Sequence, residues 1–140
     1  MGYVMDVYIE RRDADGRFQS MGETELLSDW GNSPWFAFFA DARNHHDIEP
    51  IVGPRALPED ASDEVRAAFE ALRDDIIGCS WLTVDELLAF DYDAPLRFKE
   101  NRRDPSLRAE TYRQLLGVRI IDDARELKAI GADRVVFWIR

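Results

Sequence analysis

The chain has 140 residues and a mass of 16.2 kDa, enough for one folded unit spanning 1–140 and too little for two comfortable ones. With 46% apolar residues and 16 aromatic rings it can bury a core of its own. Its 18 basic residues face 28 acidic ones, and a net charge of −10 argues against gripping duplex nucleic acid or an anionic membrane surface.

Tyr3, Met5, Val7 and Ile9 alternate with polar neighbours, the period of a strand with one buried face. Asp13-Ala14-Asp15-Gly16 reads as a turn, and Arg17 to Glu23 as the returning strand. Ser33 caps a helix with Pro34 at its first position, continuing from Trp35 through Arg43. The stretch from Glu49 to Pro58 is proline-rich and therefore an extended surface strap. Ser62 caps a second helix whose first turn holds Asp63 and Glu64, with Val65, Phe69 and Leu72 on one face.

Thr83 and Glu86 form a capping box, flanked by Leu82 and Leu87 in the positions of a hydrophobic staple. Asp104-Pro105 opens a predicted helix that runs to Leu116 and stops at Gly117, and Ile121 to Ile130 ends similarly at Gly131. Val135 to Ile139 is β-branched and aromatic, a terminal strand expected beside the first one. The order predicts an α+β fold: a small antiparallel sheet, made of the N-terminal hairpin plus the last strand, with four to five helices on one face.

The charge is unevenly spread. Residues 1–58 carry net −5, residues 59–93 carry −9 and residues 94–140 carry +4. In the middle segment Glu59, Asp60, Asp63, Glu64, Glu70, Asp74, Asp75, Asp85, Glu86, Asp91 and Asp93 meet only Arg66 and Arg73. Arg97, Lys99, Arg102, Arg103, Arg108 or Arg113 must neutralise some of them by folding back. The remainder is either a solvated face or an outward acidic surface for a basic protein or ribonucleoprotein partner.

Candidate chemistry is sparse. His45-His46-Asp47, near Asp41 and Glu49, is the one cluster resembling a metal site, but adjacent helical residues diverge by about 100°, so both imidazoles can reach one ion only from a loop. An exposed polar loop is the simpler reading, with a metal-dependent hydrolase as an alternative. Cys79 reads as a small buried hydrophobe rather than an activated thiol. Asp13 and Asp15 lack the remaining ligands of a calcium loop, and Asp91-Tyr92-Asp93 reads as a loop rather than a chelate.

Trp35, Phe36, Phe38 and Phe39 cover most of a short helix, so either it is packed on several sides or one ring is left exposed. Trp30, Trp81 and Trp138 read as core or rim residues. Arginine supplies 16 of the 18 basic residues, and its planar fork suits phosphate as well as carboxylate. A pocket with Arg55, Arg102 or Arg103 on phosphate and Trp35 or Trp81 stacked on a base would hold a nucleotide-like molecule.

The single cysteine rules out an intrachain disulfide, and Met1 to Asp6 shows neither a basic-then-apolar leader nor the hydroxyl that N-myristoylation wants at position 6. The aromatic run from Pro34 to Ala40 is far short of the roughly 20 residues of a membrane span. The expectation is a soluble cytoplasmic protein.

Four phrases carry a resemblance: Phe36-Ala37-Phe38-Phe39-Ala40-Asp41-Ala42-Arg43-Asn44; Pro54-Arg55-Ala56-Leu57-Pro58 with Ser62-Asp63-Glu64-Val65; Ser80-Trp81-Leu82-Thr83 with Glu86-Leu87-Leu88; and Val135-Val136-Phe137-Trp138. In that order they resemble a family of small phage and prophage proteins without an assigned activity. Relatives often carry His-Ser-His before the Ser-Trp-Leu-Thr phrase, where this chain has Ile77-Gly78-Cys79, and Tyr-Asp in place of Ser33-Pro34. Any polar site built from that histidine stretch is therefore not carried over. The resemblance implies an accessory role in phage–host conflict. Joined to the acidic segment, it predicts a non-enzymatic, cofactor-free inhibitor of anti-CRISPR type, acting on a host defence or nucleic-acid-handling complex. The nucleotide pocket and the hydrolase are the alternatives.

Overall fold

The structure is a computed structural model that describes residues 2–101 and 104–140, without the side chains of 100–109. Its strands and helices are β1 (Val4–Arg12), β2 (Phe18–Trp30), α1 (Ser33–Ala40), α2 (Asp63–Leu72), β3 (Gly78–Thr83), α3 (Val84–Ala89), β4 (Pro95–Asn101), β5 (Asp104–Thr111), α4 (Tyr112–Leu116), α5 (Arg119–Ala129) and β6 (Arg134–Ile139). A 3₁₀ turn, Arg73–Asp75, extends α2. The fold is α+β. Four antiparallel strands lie in the order β2-β1-β6-β3, and β4 and β5 form a separate hairpin.

β6 is central and buried along its whole length. Val135, Phe137 and Ile139 point into the main core with Met5, Val7 and Ile9, while Val136 and Trp138 point the other way, onto Val65. An unbroken apolar strand of this kind needs cover on both faces. Accordingly α1, α3, α4 and α5 contribute to the first core, and α2 roofs the second face, where helices on one face only were expected.

Three strands, β3, β4 and β5, escaped the sequence reading. Gly78–Thr83 alternates, Leu82 entering the main core and Trp81 the opposite face, and it pairs with β6 rather than serving as a lead-in to the capping box. The helix expected from Asp104 is also not one. Leu96 and Phe98 of β4 are buried while Arg97 is exposed, a period of two, and residues 104–111 pair with this strand backbone to backbone. The helix begins only at Tyr112, after a capping box of Thr111 and Gln114, and closes at Gly117 with φ +82°.

The first hairpin is longer than predicted. β2 runs on to Trp30, and its register against β1 jumps between Met5 and Val7, where Leu27 adopts φ 66° and turns into the core. α1 is capped by Asn32, whose side chain accepts from the Trp35 amide at 3.1 Å, and it ends at Ala40 because Asp41 turns left-handed. All four of its large aromatic residues are buried. Phe39 meets Phe137 at 5.4 Å and Phe38 meets Phe90 at 5.3 Å, so the helix is enclosed on several sides and offers no ring to a partner. The strap at 49–58 is extended, and α2, the box at Thr83 and α5 form as predicted. Among the described residues no helix is long and apolar enough to cross a membrane.

Candidate functional site

α2 presents the acidic segment. Ser62 caps it, accepting from the Val65 amide at 3.4 Å, and the Ser62 amide donates to Glu10 Oε2 at 2.7 Å. Val65 and Phe69 face the sheet, the latter with its ring 5.7 Å from that of Trp138. The outer side carries Asp63, Glu64 and Glu70, continued by Asp74 and Asp75 in the 3₁₀ turn, all exposed.

The eleven carboxylates divide into two sets. Five are ion-paired: Asp60 on Arg134 at 2.8 Å, Glu70 on Arg73 at 2.5 Å, Asp85 on Lys128 at 2.8 Å, Glu86 on Arg55 at 2.6 Å and Asp93 on Arg113 at 2.7 Å. Glu59, Asp63, Glu64, Asp74 and Asp75 form no ion pair with any described residue. Asp91 spends one oxygen on the Asp93 amide at 3.0 Å. Arg113 folds back as expected, whereas Lys99 goes to Asp47 at 2.7 Å; Arg102 and Arg103, and the side chain of Arg108, lie outside the described residues.

Pairing shifts the acids as physics requires. The Arg55 fork and the Thr83 donors hold the Glu86 carboxyl down to about 2. Asp60 lies below its ordinary value because Arg134 donates to it, and Asp93 likewise through Arg113. Tyr8 moves up, first through burial and then through the carboxylates of Glu23, Asp6 and Glu64. Glu23, which the charge split by segments passed over, thus joins α2 around one tyrosine: the fold brings a hairpin carboxylate to the acidic helix.

The sequence reading also missed the polar centre beneath α2. Glu10 and Arg134 are buried opposite each other on β1 and β6, and the Arg134 guanidinium lies 3.5 Å above the Phe18 ring. A signal exists in the alternation that assigns Asp6, Tyr8 and Glu10 to one face of the strand, but polar residue types on that face do not by themselves reveal that it is covered. Above this centre an open cleft of about 550 Å³ runs between Gly16–Ser20 and Asp60–Glu64.

The expected nucleotide pocket is not assembled by the described residues. Trp35 is packed in the main core with its indole N–H on the Leu27 carbonyl at 2.8 Å, while Trp81 belongs to the opposite sheet face. Arg55 grips Glu86 with both terminal nitrogens and stacks on Trp81 at 4.4 Å, so its fork is already occupied. His46 donates from Nδ1 to the Lys99 carbonyl at 2.7 Å, His45 is engaged elsewhere, and no three His, Cys, Asp or Glu side chains gather as metal ligands among the described residues. The Asp13 carboxylate accepts from Asp15, Arg17 and Gln19, as a hairpin turn and not a calcium loop would have it. Burial pushes the Cys79 thiol up to about 12, the reverse of nucleophilic activation. Trp138 is core as expected, whereas Trp30 is 73% exposed. No family model, no curated protein and no solved structure matches this chain.

Proposed function

We propose that the chain is a non-enzymatic binding protein that sets the acidic side centred on α2 against a basic groove of a protein or ribonucleoprotein. One observation carries the reading: Glu59, Asp63, Glu64, Asp74 and Asp75 stand exposed at the two ends of α2 without an ion-pair partner among the described residues. Glu23 extends this side onto β2. Unpaired carboxylates on one element raise encounter rates with basic surfaces and repel acidic ones, so they select the partner before contact. The phrases that resemble phage and prophage proteins direct the search to host defence and nucleic-acid-handling complexes, with inhibition as the consequence of occupying their basic groove.

The test is binding to purified nucleases and CRISPR effector complexes at about 0.1 M and 1 M salt, between which the screening length falls from about 10 Å to 3 Å. Binding is expected to weaken with salt, and to be lost in a D63K/E64K/D74K/D75K variant but kept in a D122K/E126K variant on α5. Salt-insensitive binding, or equal loss in both variants, rejects the reading.

A further inference from the structure

We infer that Trp30 anchors the basic partner, at the open end row of the four-stranded sheet beside the acidic side of α2. The inference rests on the acidic docking reading and adds the apolar centre that such a surface needs. Interfaces draw most of their energy from a few buried aromatic or arginine residues, with charged groups at the rim setting rate and selectivity.

Trp30 is the most exposed large apolar side chain among the described residues. It stands opposite Val4, which exchanges both backbone hydrogen bonds with Arg140 at 3.0 Å. Directly opposed residues of antiparallel strands share a face, so Trp30, Val4 and Arg140 form one row on the face of Trp138. The next row inward is covered: Trp138 lies beneath Tyr8 and Phe69. Among the described residues the end row lacks such a roof, and Ile77, whose amide donates to the Ile139 carbonyl, adds a second exposed apolar side chain at the same end.

The charge around the row identifies the occupant. Glu23 and Asp75 lie close enough to act on the Arg140 guanidinium, which is itself held by Asp6. The other cations at this end are engaged too: Arg43 lies over the Tyr3 ring at 4.3 Å, and Arg119 lies over Trp35 at 4.7 Å and pairs with Asp29 and Asp123. An indole with spare carboxylates nearby and no spare cation among the described residues suits a segment that combines arginine or lysine with an apolar side chain. A guanidinium plane stacks on the indole face while its neighbours reach Glu23 and Asp75. A second copy of this chain would bring another −10 to the same place.

The experiment is selection of random peptides on yeast against the immobilised protein, followed by affinity measurement on the variants Trp30→Ala and Ile130→Ala. Ile130 is exposed beyond the opposite end of β6. Enriched peptides are expected to be basic with at least one apolar residue, and to bind W30A about tenfold or more weakly while binding I130A as the unaltered protein. Trp30→Gln gives the same comparison should the alanine variant fail to fold. Basic peptides that bind W30A and the unaltered protein equally overturn the anchor yet leave acidic docking standing, as loss of their binding in D63K/E64K/D74K/D75K would show. Enrichment without basic excess overturns both. Sedimentation that shows a dimer abolished by W30A also overturns the inference, because the occupant is then a second copy.

Discussion

Glu10 and Arg134 meet across the two central strands with carboxylate and guanidinium 2.6 Å apart, the first residue fully buried and the second 2% exposed. The pair is satisfied from every side. Glu10 also receives the Ser62 amide, and Arg134 reaches Asp60 and lies between Phe18 and Trp81. It therefore fixes where α2 begins over the sheet, and with it the acidic side. A lone charge at this depth would face a large desolvation cost, so neither residue is independent of the other.

Removing one partner is expected to cost about 3–5 kcal/mol, and removing both much less than the sum. Urea denaturation of E10L, R134M and E10L/R134M measures this as a double-mutant cycle. Additive single effects would show that the pair is not coupled.

Glu86 supplies a pH signature. Its folded value of about 2 lies below the ordinary 4.5, so its contribution is complete above about pH 4.5 and is lost as pH falls from there through 2. The side chain is one-third exposed, and solvent screening keeps the expected cost of E86Q at neutral pH near 1–2 kcal/mol. The stability gap between the unaltered protein and E86Q, followed by chemical denaturation from pH 6 to pH 2, should close over that window. A gap independent of pH contradicts the assignment.

A side chain at Gly78 would be crowded. A Cβ there would lie 3.0 Å from the Cβ of Ala42 and 3.6 Å from that of Ala40. Neither neighbour is the far end of a flexible side chain, so G78A is expected to destabilise by about 1–3 kcal/mol. Ala42→Gly in the same chain should recover part of the loss in thermal melts. A neutral G78A would mean that the segment after α1 moves freely against β3.

Cys79 should react slowly. With its thiol held up to about 12, the folded protein at pH 8 contains little thiolate, and labelling by an aromatic disulfide reagent is expected to lag far behind the urea-unfolded chain. Equal rates would place Cys79 in a different setting from the one beside Trp138.

Local structure was legible wherever a residue type acts on its own backbone. The caps at Ser62 and Thr83, the Asp13 turn and the stop at Gly131 depend on a few neighbouring side chains, and each forms where the residues say. The hairpin of β4 and β5 did not announce itself. Asp104-Pro105 is a plausible helix start in isolation, and only the alternation of Leu96 and Phe98 in the preceding strand overrides it. Exposed aromatic residues were the least legible. Trp30 and Trp35 are both tryptophans next to an acid or a proline, and what separates them is the placement of Leu27, whose carbonyl takes the Trp35 indole N–H and whose amide is held by the distant Asp123. The acidic segment was legible as a composition, whereas its division into paired and unpaired carboxylates depends on Arg55, Lys128 and Arg134, brought in from outside it.

The slot between β1 and β3 has a consequence for synthesis on the ribosome. A nascent chain that has emerged only as far as residue 130 holds every other strand, but β1 and β3 then lack the strand that pairs with both. Chaperones would meet it in that state, and closure must wait for the last strand to thread the middle, a slow step for pairings so distant along the chain.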